Sequence, residues 1–330
     1  MRAAVVRDRR IEIQDRPVPS PGPHEALVRV AGAGVNRADL IQRMGFYPAP
    51  PGSPPDIPGL EFSGVVEEIG TAVTHVSVGD QVFGIAGGGC QAQYVCIHEL
   101  HCAIVPPSLE LIAAGGVPEA FLTAHDAMVT QANIQPKDWV LIHAVGSGVG
   151  TAALQLVHAF GGTAIGTART QSKLDQCAML GLKHNILAPS LPDGSLDTAA
   201  LNTAIRAIAP SGIDVTLDLV GGTYVESDIA AAAAHGRIVL IGTLAGGRCS
   251  FDILPVMQKR LTISGTVLRP RNIEQKAAAT AAFAVDVVAL LADGIVAPIV
   301  EQIIALNDAQ AAYDLVATDT TFGKVILDCS

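Results

Sequence analysis

The chain has 330 residues, enough for two ordinary domains, and is 49% hydrophobic but only 4% aromatic, so its core must rest on Ala, Val, Leu and Ile. A formal charge of −10 at pH 7 argues against nucleic acid and anionic membranes as partners, because both demand a basic surface. No apolar run is expected to reach the roughly 18–20 residues of a membrane span, residues 1–10 lack the apolar stretch of a leader, and six irregularly spaced cysteines point to reduced thiols in the cytoplasm.

The first 110 or so residues read as β-rich. Pro17, Pro19, Pro21, Gly22 and Pro23 punctuate the segment before a short strand over 26–30. Residues 46–59 hold six prolines and read as a loop, of the long kind that often carries function. Glu61–Ile69 alternates into Gly70, and Gly79-Asp80 makes a turn into a strand beginning at Gln81. Cys90, Cys96, His98, His101 and Cys102 lie close together, but their spacing matches neither C-x2-C nor H-x3-H. Residues 93–97 read as a strand, in which such Cys and His side chains are packed, so no metal is expected.

From about residue 120 helix and strand alternate. Strands are expected at 139–143, 163–168, 184–187, 214–220, 237–241 and 261–267, which makes a doubly wound α/β parallel sheet. The alanine run 230–234 reads as helix, because Ala is the best helix former. A helix over 277–292 and a closing strand over 324–327 follow; the tail has no place in the six-stranded sheet and is expected to pack back onto the first domain.

The stretch 139–173 carries the strongest signal. An apolar strand runs into Ala144-Val145-Gly146-Ser147-Gly148-Val149-Gly150, then a helix, then Gly161-Gly162 and a second strand. This is the dinucleotide-binding βαβ unit, which sets backbone N–H groups and a helix N-terminus against a pyrophosphate. G-x-G-x-x-G does not fit in register, since Val145 and Ser147 fall at the first two glycine positions, yet small residues occupy the close-approach points. A fold that holds NADH usually ends its second strand in Asp or Glu, to bind the ribose 2′-OH. Here Ala168 is followed by Arg169, Thr170, Gln171, Ser172 and Lys173, with two cations and no acid to repel a 2′-phosphate, which favours NADPH. The alternative is that Arg169 and Lys173 only solvate a helix N-terminus, where cations are unfavourable.

The pattern resembles the medium-chain dehydrogenase/reductase superfamily. Within it the chain is similar to the zinc-free quinone oxidoreductases related to zeta-crystallin, and among these to the tumour-suppressor-inducible branch. The residues that carry the resemblance are Gly34-Val35-Asn36-Arg37-Ala38-Asp39-Leu40, Gly45-Phe46-Tyr47-Pro48, Pro58-Gly59-Leu60-Glu61-Phe62-Ser63-Gly64, Val117-Pro118-Glu119-Ala120-Phe121-Leu122-Thr123-Ala124, the turn at 143–150, and Phe322-Gly323-Lys324-Val325. It implies a Rossmann NADPH-binding domain over 120–268 and a discontinuous GroES-like catalytic domain over 1–119 and 269–330. Zinc-dependent relatives carry Cys and His where this chain has Asn36 and Leu60, and a four-cysteine lobe that it lacks, so the implied chemistry is metal-free. By position, Asn36 and Tyr47 would form the quinone pocket. Cofactor contacts would come from Tyr47, Thr123, Ser147, Gly148, Val149, Gly150, Thr170, Lys173, Gly242 and Arg269. The family's Asn-Tyr step is here Asn185-Ile186, without the aromatic ring.

The expected activity is therefore NADPH-dependent reduction of a small-molecule quinone or conjugated carbonyl, by a cytoplasmic homodimer. The alternatives are a 2-alkenal or enone reductase and a non-catalytic NADPH-binding protein. Asn36 could orient the acceptor or serve as a turn residue, Tyr47 could donate a hydrogen bond or be a surface aromatic, and Ser147 could bind phosphate or simply be small. His125 and His143 read as structural.

Overall fold

The near-continuous apolar runs beyond residue 139 pair as one six-stranded parallel sheet. Its spatial order is His184–Leu187, Thr163–Ala168, Trp139–Ile142, Ile213–Asp218, Ala232–Leu240, Thr262–Gly265. In chain order that is 3-2-1-4-5-6, the doubly wound arrangement whose direction reverses beside the strand Trp139–Ile142. Ligands bind at the carboxyl ends of the strands at such a reversal. Leu141, Ile165, Leu201, Ile205 and Ile213 fill the core between this sheet and the helix Thr198–Ile208. The computed structural model describes residues 1–330 and divides into two units, Thr123–Val267, and Met1–Leu122 with Leu268–Ser330.

The second of these is β-rich. Its eleven-residue strand Glu25–Val35 pairs antiparallel with Glu61–Ile69, Tyr94–His98 and Lys324–Asp328. Lys324–Asp328 in turn pairs parallel with Val300–Ala305. An antiparallel hairpin, Arg2–Arg7 with Arg10–Asp15, stands apart from this sheet. Phe62, Val66, Val82, Val325, Leu327 and Tyr313 are among the side chains that form the core. Residues 46–59 contain neither helix nor strand.

Two sequence expectations are corrected. The alanine run 230–234 is not one helix: the helix Tyr224–Ala231 ends inside it, and Ala232 opens a strand paired with Ile213. Tertiary pairing overrides the local helix propensity of alanine there. The helix near the C-terminus begins earlier than 277, at Ile273, and reaches 20 residues with a mean hydropathy of 1.4 over its apolar window, so one helix is long and apolar enough to cross a membrane. Its Phe283, Val287 and Leu291 are buried, and Phe283 meets Phe83 edge-on with ring centroids 6.0 Å apart.

Candidate functional site

In the unit Thr123–Val267, the strand Trp139–Ile142 delivers the chain into a tight turn at the sheet's carboxyl edge. Ala144 adopts φ +50, the left-handed region that non-glycine residues visit at a cost. Val145 is tied back by its N–H to the Thr167 carbonyl, and Ser147 caps the helix Gly148–Ala159 by accepting the Gly150 N–H at 3.1 Å. Glycine is obligatory at 150, since a Cβ there would lie 2.5 Å from the Ala144 carbonyl oxygen and 2.6 Å from that of Val145. The N–H groups of Gly148 and Val149 are left at the N-terminus of a twelve-residue helix, the arrangement that binds phosphate oxygens.

The neighbouring strand Thr163–Ala168 ends in exposed Arg169 and Thr170, and Thr170 caps the helix Gln171–Met179 without a side-chain hydrogen bond. The Lys173 stem packs on Gly146, where a Cβ would lie 3.0 Å from that of Lys173, so this cation stands over the glycine turn. Gly242 lies just past the strand Ala232–Leu240, its N–H 3.2 Å from the Asp218 carbonyl. The segment Thr123–His125 packs on the helix Gly148–Ala159. Ser147, Gly148, Val149, Gly150, Thr170, Lys173 and Gly242 thus share one edge of one sheet, and this donor set fits a dinucleotide phosphate.

Beneath the turn His143 is fully buried. Its Nδ1 lies 2.8 Å from Thr167 Oγ1 and its Nε2 lies 2.8 Å from Asp228 Oδ1. Asp228 raises the imidazole pKa against the opposing effect of burial. Both ring nitrogens are engaged, which is a supporting role.

The other candidates lie in the unit formed by Met1–Leu122 and Leu268–Ser330. Asn36 precedes the helix Arg37–Arg43, and both ends of its amide are engaged: Nδ2 donates to Glu61 Oε1 at 2.9 Å, and Oδ1 accepts from Lys324 Nζ. Lys324 Nζ also donates to Glu61 Oε1, inside the core. Gly34 makes room for this arrangement, because a Cβ there would meet Glu61 Oε1 at 2.1 Å. Glu61 Oε2 accepts the backbone N–H of Glu119 at 2.8 Å. Asp39, also buried, accepts the Asn36 N–H at 2.8 Å and the Gly59 N–H at 3.1 Å, and burial pushes its carboxyl up to about 6.

Glu119 stands in a π-helical turn, Pro118–Leu122, a form that clusters at functional sites. Its carboxyl makes no hydrogen bond. Burial, then the negative charge of Glu61, push its pKa up to about 8, against the pull of Lys324. The cations that oppose the shift are Lys324, already engaged by Glu61, and Arg269. Neither Glu61, Glu119 nor Lys324 emerged from the sequence as a site residue. Each stood inside a motif that carried the family resemblance, which was the available signal.

Tyr47 and Arg269 meet. The guanidinium lies 4.7 Å from the centre of the Tyr47 ring, donates to the Tyr47 carbonyl at 2.9 Å and to that of Gly87 at 2.8 Å, and reaches Gln42 Oε1 at 2.6 Å. Its three N–H directions therefore tie the 46–59 loop, at Tyr47, to Gly87 and Gln42. Burial raises the Tyr47 hydroxyl pKa, which keeps it a proton donor.

These residues do not fit zinc. Leu60 is apolar and buried, the Asn36 amide is held by an ammonium and a carboxylate, and no three His, Cys, Asp or Glu side chains converge as ligands. Along 90–102, the rings of His98 and His101 pack 5.2 Å apart, and Cys90 and Cys102 are buried.

Two family models match the chain, an alcohol dehydrogenase GroES-like domain over residues 22–131 and a zinc-binding dehydrogenase over residues 148–283. A crystal structure of an NAD-dependent alcohol dehydrogenase superposes with a TM-score of 0.83 at 30% identity, covering 100% of both chains. Among curated proteins, quinone oxidoreductase-like protein 2 of Mus musculus is 29% identical over 77% of this chain and 70% of its own length. The synaptic vesicle membrane protein VAT-1 homolog of Danio rerio is 30% identical over 66% of this chain, and the match spans only 43% of that protein.

Proposed function

We propose that this chain, which belongs to the medium-chain dehydrogenase/reductase superfamily, is an NADPH-dependent reductase of quinones. The observation that carries the reading is the phosphate cradle at Gly148–Gly150 with Arg169 and Lys173 beside it and no carboxylate at the end of the second strand. The helix N-terminus takes the pyrophosphate and the cations take the 2′-phosphate. The similar alcohol dehydrogenase is described as NAD-dependent, so the choice of NADPH rests on this chain's own residues.

When bound, the nicotinamide supplies a hydride. The chain's own residues then have three tasks. Asn36 Nδ2 keeps one N–H beyond its bond to Glu61, suited to orient an acceptor oxygen. The Tyr47 hydroxyl is a second donor, on a ring held in place by Arg269. Glu119 holds a proton at neutral pH and delivers it to the oxyanion left by reduction, then recovers it from water. None of these steps needs a Lewis acid, which suits an acceptor that is already electron-poor.

The reading includes a homodimer, which the mass in solution tests. The activity is tested by following NADPH consumption with para-quinones and 2-alkenals in the presence of a chelator. Quinone-dependent oxidation that resists the chelator is expected. Alkenals reduced with higher kcat/KM would make it an enal reductase, and tight NADPH binding with no turnover on either class would make it a binding protein.

A further inference from the structure

A cavity of about 380 Å3 opens in the unit that carries Tyr47, between the loop 46–59 and the start of the helix Ile273–Ala292. Three prolines wall it, which makes its shape rigid. Its polar lining is Ser53, His101, Arg271, Asn272, Glu274 and Lys276.

Lys276 is the feature that needs an explanation. It is 8% exposed, lines the cavity, and its ammonium makes no hydrogen bond or ion pair. Burial lowers its pKa, and the carboxyl whose charge opposes that effect, Glu119, is itself protonated near neutral pH. Glu274 lies two positions away on the helix, where side chains diverge. No group of the protein pairs with this ammonium, which opens to the cavity, and a bound anion would supply its counter-ion.

The helix end adds an independent attraction. Asn272 Oδ1 accepts the Gln275 N–H at 2.8 Å, which leaves the N–H groups of Ile273 and Glu274 at the head of a twenty-residue helix. His101 donates from Nε2 to the Ile273 carbonyl at 3.0 Å, and burial pushes its pKa down to about 4. It is therefore neutral and offers Nδ1 as an acceptor for a protonated ligand oxygen. The volume is in the range of sites for small organic molecules.

We propose that this cavity binds a small organic oxyanion, a phosphomonoester or a carboxylate, held by the Lys276 ammonium and the N–H groups of Ile273 and Glu274. The site is separate from the phosphate cradle at Gly148–Gly150 and does not depend on turnover.

The test is calorimetric titration of the full chain with inorganic phosphate, phenyl phosphate and benzoate, with and without saturating NADPH. Saturable binding of phenyl phosphate or benzoate, equal in both conditions, is expected; whichever binds identifies the anion as phosphoester or carboxylate. Lys276→Gln should weaken it about tenfold or more, because a charge-assisted hydrogen bond is lost. Glu274→Gln, which removes the opposing charge from the rim, should tighten it. No saturable binding, equal affinity in Lys276→Gln, or displacement by NADPH would each overturn the assignment.

Discussion

Glu119 holds a proton at neutral pH because burial, and then the charge of Glu61, disfavours its carboxylate, and that proton is what an oxyanion product needs. With its pKa near 8, wild-type kcat/KM for a quinone should fall as pH rises above about 8. Glu119→Gln should lower kcat/KM on the order of 10²-fold and abolish that alkaline fall, whereas a merely structural role would leave the fall in place. Lys324 is the opposite case, a buried cation fully engaged by Asn36 and Glu61. Lys324→Met strands the Glu61 carboxylate and should cost about 3–5 kcal/mol in urea unfolding at pH 7. Replacing both, Lys324→Met with Glu61→Gln, should recover much of that loss. The cluster was hidden from sequence reading because its bonds join residues as far apart as 61 and 324, and no local period records such a contact. Asn36 and Tyr47 were legible only as members of motifs; the structure shows what holds each of them.

At the scale of the element, the glycine turn is where sequence and structure agree best. Gly150 closes the helix Gly148–Ala159 onto two carbonyl oxygens. Gly150→Ala should therefore destabilise the chain by about 1–3 kcal/mol, read by thermal or urea unfolding, and should also weaken dinucleotide binding. The strand Glu61–Ile69 was readable along its full length, although its burial does not alternate: Glu61 through Gly64 are all buried. So was the central apolar strand Trp139–Ile142, to within a residue. The hairpin Arg2–Arg7 with Arg10–Asp15 was not. Its turn runs through Asp8 and Arg9 at φ +48 and +62 without a glycine, so the usual punctuation is absent. The alanine run failed for a related reason: propensity favours helix, but pairing with Ile213 decides the outcome at Ala232.

At the scale of the whole molecule, raised carboxyl pKa values have a stability consequence of fixed sign. Asp39 rises from 3.8 to about 6 and Glu119 from 4.5 to about 8 on folding. Between those limits the unfolded chain has already released protons that the folded chain still holds. Their contribution to stability is therefore full below about pH 4 and is lost as pH rises, by at most about 1.4 kcal/mol per pH unit for each group. Urea unfolding between pH 5 and 8 should show declining stability, and a shallower decline in Glu119→Gln. Selection of a phosphorylated dinucleotide, proposed for the other unit, rests on a helix N-terminus and two cations. It is tested most directly by calorimetric titration of the full chain with NADPH and with NADH. NADPH should bind about tenfold or more tightly than NADH, as one charge-assisted contact to the 2′-phosphate requires. Absence of NADPH binding, or a preference for NADH, would contradict the account.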